Sequence, residues 1–389
     1  MNRARMGLLL GAIVLLGFQL RSPLVALAPV ARTAEAGWGV TPAGFGLLTT
    51  LPLLCFGLAT PVAPWLARRL GLEASMLVCL GGIVVATALR SIDGFGVAVA
   101  ASVLLGLAIT IGNVLVPTIV RRDVPRRGRA AATGVYGISL NVGTWLTSLT
   151  VVPLAGLVGW RPATAAWSVV GVATAVVWVA LLRRAPAPDA QPRLERPPRY
   201  RPDRFALLLG LGFACQAFSY YGVTTWLPSL LADERGESAA VAGSASSVFQ
   251  IAGICGAVGV PLLTLRLKPR TILAIIGVLW VSLPVGLLLA PEHFLVVAVL
   301  GGAAQGGGFI AIFTIIAEVG GDLRRTTALS AFVQTVGYVV AALAPPVVGA
   351  VRQLTGGWTA PMLVVLAATL GFLVFNLVAA TLAAHRAPA

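Results

Sequence analysis

Charge is what this sequence has least of. Only 11% of its 389 residues are Asp, Glu, Lys or Arg, where soluble globular proteins carry about 25%, so an ordinary water-soluble domain is excluded. Acid is scarcest, with 13 Asp and Glu against 28 Lys and Arg, and Lys268 is the single lysine. Cys55, Cys79, Cys215 and Cys255 lie in apolar runs without a C-x-x-C pair, which gives neither a disulfide framework nor a zinc site. His293 and His385 fall at the ends of apolar runs, so no metal and no proton relay is expected. No phosphate-cradling Gly-rich loop is present, and no cofactor is implied. A membrane-embedded enzyme would need paired carboxylates, Ser with His, or metal ligands inside the apolar runs, and the sequence supplies none. A sensor would need a sizeable soluble domain, yet the only long polar stretch runs from Arg183 to Arg204.

What is abundant is apolar surface: 58% of residues are hydrophobic and the mean hydropathy is +0.93. A helix needs about 20 mainly apolar residues to cross a hydrocarbon layer roughly 30 Å thick. Twelve such runs occur, at residues 6–28, 42–67, 74–89, 95–119, 130–155, 162–182, 205–231, 239–265, 271–289, 294–318, 327–351 and 359–384. The expectation is an all-α polytopic membrane protein with 12 transmembrane helices. Arg3 and Arg5 before the first run, and Ala26-Leu27-Ala28 near its end, resemble a signal peptide. The run is longer than a signal core, and its removal would leave an odd helix number, so it is read as a retained first span.

The net charge of +15 would suit a nucleic-acid binder, but its distribution does not require one. If the N-terminus is cytoplasmic, 22 of the 28 basic residues fall on cytoplasmic segments, while the acids divide seven inside to six outside. Topology biases positive charge alone in this way. Both termini are therefore expected in the cytoplasm, and the basic face borders anionic lipid rather than nucleic acid.

The Pro- and Arg-rich linker, residues 183–204, separates an N-terminal six-helix bundle, 1–182, from a C-terminal one, 205–389. The halves repeat. At an offset of 199, Gly11 falls on Gly210, Pro29 on Pro228, Gly57 on Gly256 and Arg69 on Lys268; at 193, Asn141 falls on Gln334, Trp145 on Tyr338 and Pro153 on Pro346. Parallel duplication with an even helix number and a long central loop is the pattern of transporters that alternate access around a site at the pseudo-symmetric interface.

Several strings carry a resemblance: Gln19-Leu20-Arg21-Ser22-Pro23; Gly112-Asn113-Val114-Leu115-Val116-Pro117 running into Arg121-Arg122-Asp123; Ser219-Tyr220-Tyr221-Gly222 before Trp226-Leu227-Pro228; and Gln334-Thr335-Val336-Gly337-Tyr338. In order and spacing the chain resembles the major facilitator superfamily, and within it the cyanate and 2-nitroimidazole transporter branch. The resemblance implies a monomeric multi-pass transporter of a bacterial cytoplasmic membrane, moving a small solute. It also implies a gating role for the loop around Arg68 and Arg69. There the superfamily usually has Gly, Asp-Arg and Gly, whereas Arg68 stands here at the acid's place.

Arg21 is the deepest charge, 15 residues past Met6 and 11 before Arg32, roughly 16 to 22 Å from either at 1.5 Å per residue. An intramembrane arginine is costly unless it faces a polar cavity or a partner, and no Asp or Glu occupies the interior of a run, Glu318 standing at the end of its own. A small anion, cyanate-like, is the expected partner for the guanidinium fork. Snorkelling, or bonding to carbonyls freed by Pro23, is the other reading. Asn113, the helical pairs Asn141 with Trp145 and Gln334 with Tyr338, and the stripe Gln216, Tyr220, Thr224 are further substrate-binding candidates, because lipid offers no hydrogen bonds. Bonding between neighbouring helices is the alternative for each. Tyr221 and Tyr220 add flat aromatic surfaces suited to a heterocycle, and Trp226 is read as an interfacial anchor. Glu318 falls opposite Arg122 in the repeat, with Arg324 and Arg325 just beyond, and is read as an inner-gate ion pair rather than a proton-coupling carboxylate.

Overall fold

The computed structural model of the chain describes residues 3–125, 129–182, 201–236, 238–319 and 323–384. Among them every regular element is a helix. Eleven helices are long and apolar enough to cross a membrane, and a bent pair brings the number to as many as 12. The chain divides into two compact units, Met1–Val40 with Leu51–Glu195, and Thr41–Thr50 with Arg196–Ala389.

The first unit contains α1 (Arg3–Val25), α2 (Ala31–Trp38), the second half of α3 (Pro42–Leu58), α4 (Val62–Leu70), α5 (Leu72–Leu89), α6 (Phe95–Asp123), α7 (Arg129–Val158), α8 (Trp160–Ala165) and α9 (Trp167–Leu182). Punctuation follows local chemistry. Pro29 sits in a short 3-10 turn, Ala28–Val30, that joins α1 to α2, and Gly39 ends α2 at φ 65. Gly71, at φ 83, turns α4 into α5, a backbone setting that costs glycine little.

The second unit contains the start of α3, then α10 (Arg204–Arg235), α11 (Ala239–Leu263), α12 (Pro269–Leu289), α13 (Phe294–Val319), α14 (Leu323–Ala341), α15 (Ala344–Thr355) and α16 (Thr359–Ala384). Asp203 caps α10 by accepting from the Ala206 N–H at 2.9 Å, and Ser238 caps α11 by accepting from the Val241 N–H at 3.3 Å. Pro269 occupies the first turn of α12, where no N–H is needed.

Packing repeats along with sequence. In the first unit α1 packs on α7 and α9, and α5 on α6 and α9; in the second, α10 packs on α14 and α16, and α12 on α13 and α16. Under the two offsets these are the same four pairs. The tightest approach is α11 against α13. A Cβ on Gly306 would lie 1.9 Å from the Gly253 carbonyl oxygen, and one on Gly256 1.8 Å from that of Ala303. Backbones come this close in membrane bundles because dispersion replaces the hydrophobic drive.

Three spans differ from the sequence reading. The first continues past residue 28 to Trp38, since Pro29 sits in a 3-10 turn that carries the helical course on into α2. The second is not one helix: α3 and α4 meet at 68° around Ala59, Thr60 and Pro61. The eleventh breaks between α14 and α15, ahead of Pro345 and Pro346, whose missing N–H groups start a new helix.

Candidate functional site

The last turns of α1 carry Gln19, Arg21, Ser22 and Pro23. Gln19 and Ser22 are fully buried, and the Gln19 amide donates to the Trp167 carbonyl at 3.2 Å. Gly143 and Gly171 make room: a Cβ on the first would lie 2.7 Å from Phe18 Cα, and on the second 3.1 Å from Gln19 Oε1. The helix ends at Val25, with the Ala26 N–H bonded to the Ser22 carbonyl. Arg21 is half-buried and engaged by a neighbouring group. The absence of acids from the apolar runs therefore did not make it an unmatched cation.

A second arginine, missed by sequence reasoning, reaches the same helix end. Arg90 closes α5, is 4% exposed, and donates from Nη1 to the Pro23 carbonyl at 2.8 Å. In sequence it merely follows the last apolar residue of its run, and packing against α1 buries it there. Burial lowers its guanidinium to about 10, still protonated at neutral pH.

Asn113 on α6 is exposed, and its Oδ1 accepts from the Tyr136 hydroxyl of α7 at 3.0 Å. An exposed amide bonded to a half-buried phenol within spanning helices calls for an aqueous face. Tyr136, too, was not singled out from the sequence. Asn141 is half-buried and donates to the Gly137 carbonyl of its own helix at 3.0 Å, and Trp145 lies half-buried one turn beyond.

In the second unit the α10 stripe faces inward. Gln216, 3% exposed, donates to the Gln305 carbonyl of α13 at 2.9 Å, while its Oε1 is buried without a hydrogen-bond partner among the described residues. Tyr220 donates to Gln250 Oε1 at 3.4 Å, and the Gln250 amide lies 3.5 Å from Thr224 Oγ1, so both contacts are long. The Tyr220 ring meets Tyr221 edge-on at 4.9 Å and stacks on Phe249 at 6.3 Å. Phe249 stacks on Trp280 at 6.1 Å, whose indole donates to Ser219 Oγ at 2.8 Å. Gln334 is half-buried and donates to Ser330 Oγ at 3.0 Å, and Tyr338 presents its edge to Phe213 at 5.6 Å. Trp226 corrects the sequence reading. It is 1% exposed and donates to the Pro345 carbonyl at 2.9 Å, a core residue and not an interfacial anchor.

Of the expected gate residues, Arg68 and Arg69 are exposed on α4, with the Arg69 guanidinium 4.9 Å from the centre of the Trp65 ring. Arg122 pairs with Asp123 at 2.7 Å and with Glu73, a buried acid in the first turn of α5 that sequence reasoning had left in a loop. Burial alone would lower the Arg122 guanidinium, but hydrogen bonds to Asp123 and Glu73 outweigh it and hold the group above its ordinary range. The three line a narrow cleft with Trp178, whose buried indole N–H has no hydrogen-bond partner among the described residues. Arg325 lies 4.0 Å from Asp203. The side chains of Glu318 and Arg324 lie outside the described residues.

A sequence profile described as Major Facilitator Superfamily matches residues 7–292 and again 209–389. The chain belongs to the major facilitator superfamily. It is 31% identical over 376 residues to the 2-nitroimidazole transporter of Escherichia coli (strain K12), covering 95% of each chain. It is 24% identical over 355 residues to the cyanate transport protein CynX of the same strain, covering 89% of this chain and 90% of that one. A bacterial homolog of the human lysosomal transporter Spinster, solved in an inward-facing and occupied conformation, superposes with a TM-score of 0.77 at 16% identity, covering 100% of this chain and 98% of that one. This last likeness concerns the fold alone. The chain is thus a multi-pass membrane transporter of the superfamily. Five residues past Arg68, Glu73 is paired to Arg122.

Proposed function

We propose that this superfamily member is a secondary active or facilitative transporter that moves a small anionic or polar solute, cyanate-like, across a bacterial cytoplasmic membrane by alternating access. Its N- and C-termini are cytoplasmic, and it acts as a monomer built from two six-helix bundles, 1–182 and 205–389, joined by the linker 183–204. The observation that carries the reading is Arg21, a half-buried arginine in a spanning helix, two residues before a proline in that helix's last turn. A guanidinium there offers a planar fork to a small anion. Asn113, Asn141, Trp145, Gln334 and Tyr338 supply half-buried or exposed polar and aromatic groups that suit the rest of a substrate path. Gln216, Tyr220 and Tyr221 lie deeper, and their share in binding requires rearrangement of the loose Tyr220, Gln250 and Thr224 contacts. Arg68, Arg69, Arg122, Glu318, Arg324 and Arg325 gate the cytoplasmic side.

A second reading, export of neutral or weakly acidic heterocycles, is favoured by the 31% identity to a protein named for 2-nitroimidazole transport. A thermal-stability screen of the purified protein separates the two. A ligand that binds only the folded state adds about 2.7 kcal/mol at 100 times its Kd. Cyanate, formate or nitrate raising the melting temperature supports the anion reading, whereas a response confined to nitroimidazoles supports the second.

A further inference from the structure

Arg90 is the most deeply placed arginine that the proposed function has not used. Its guanidinium crosses from the end of α5 to the Pro23 carbonyl, 67 residues away in sequence, through a 2.8 Å hydrogen bond buried from solvent. That carbonyl belongs to the last turn of α1, where helix carbonyls lack ladder donors and carry the negative end of the macrodipole. α1 has no basic residue of its own in its last turn, so the cation comes from another helix. Pro23 follows Arg21 by two residues. Whatever fixes the orientation of that carbonyl fixes the backbone on which Arg21 is mounted.

We propose that Arg90 is a positioning residue for the substrate site: by clasping the Pro23 carbonyl it sets the break of α1 and the direction in which Arg21 is presented, and it adds a second positive charge that favours a small anion there. The inference rests on the reading of Arg21 as the anion's partner. Three features make the clasp specific. The bond is formed by a planar donor whose arm spans two helices, a reach and geometry that lysine reproduces only in part. Nearby, Ser91 Oγ and Thr164 Oγ1 lie 3.1 Å apart and tie the end of α5 to α8, which limits the paths Arg90 can take. Burial lowers its guanidinium only to about 10, so the charge persists at neutral pH. A displaced binding group loses affinity steeply, since positional errors of about 1 Å can cost on the order of 100-fold where geometry is demanding.

The test is uptake of cyanate, and separately of 2-nitroimidazole, into proteoliposomes holding the full chain or its R90M, R90K and R21Q variants, with melting temperatures recorded without solute. The inference expects R90M to raise the KM for cyanate about tenfold while the maximal rate stays within threefold, and R90K to recover most of that loss. A purely structural cap would lower the melting temperature and leave KM alone. Parental KM in R90M, alongside loss of cyanate uptake in R21Q, overturns the role of Arg90 and leaves the Arg21 reading standing. Parental cyanate KM in R21Q, or a parent protein that moves no cyanate, overturns the Arg21 reading and this inference with it. If R90M does not fold, R90Q takes its place: a raised KM at a kept maximal rate supports the role, and an unchanged KM overturns it.

Discussion

Replacing Gly306 by alanine should be among the most damaging single-methyl additions the second unit can receive. The new Cβ would sit 1.9 Å from the Gly253 carbonyl oxygen and 2.6 Å from its carbonyl carbon, both of them backbone atoms that no rotamer change can move. Ordinary contact begins at 3.4 Å, so α11 and α13 must part by about 1.5 Å, and gaps of 0.5 to 1 Å already forfeit a quarter to a half of a dispersion well. Overpacking of this kind costs about 1 to 3 kcal/mol, and the upper end applies because the yielding atoms are main chain. Alanine's helix preference returns at most about 1 kcal/mol, for a net loss of about 2 kcal/mol. Gly259, on α11 with nothing within 4 Å of its would-be Cβ, is the control, and its alanine variant should be neutral or slightly stabilised. Equilibrium unfolding of both variants in mixed micelles reads the difference. Equal stability of G306A and the parent, or an equal loss in G259A, would refute the glycine-mediated contact.

Arg122→Met should cost about 3 to 5 kcal/mol, because it leaves the buried Glu73 and its neighbour Asp123 without their cation, whereas Glu73→Gln keeps an acceptor for Arg122 and should cost far less; unfolding of the two variants in detergent gives the ranking, and a reversed order contradicts the pairing. Trp226→Phe should cost about 1 kcal/mol through the lost bond to the Pro345 carbonyl, measured as a small fall in melting temperature; an unchanged or raised value would mean that the ring alone matters at that position.

The helical spans and the duplication were legible because they are written in composition: long apolar runs, a single polar linker, and prolines and glycines recurring at fixed offsets. The recurrence of the four helix pairs in each unit follows from the same repeat. The break between α3 and α4 was written too, in Thr60-Pro61, but the apolar residues that flank it, Leu51 to Leu58 and Val62 to Leu66, hid it. What sequence could not reveal is which polar residues meet. Glu73 and Arg122 are 49 positions apart and join only because α5 packs on α6. Arg90 looks like a loop residue until α1 is laid beside α5. Trp226 looks interfacial because α10, at 32 residues, exceeds the length a bilayer needs, so position along it does not tell buried from interfacial. Polar residues on α10 were recognised, but their inward direction depends on how α11 and α13 close over them.

The central claim, that Arg21 holds a small anion in transit, is tested most directly by initial rates of cyanate uptake into proteoliposomes containing the parent chain or R21Q. Saturable uptake by the parent that falls at least tenfold in R21Q, with folding intact, is the predicted result. Uptake by R21Q at the parental rate and KM would contradict it.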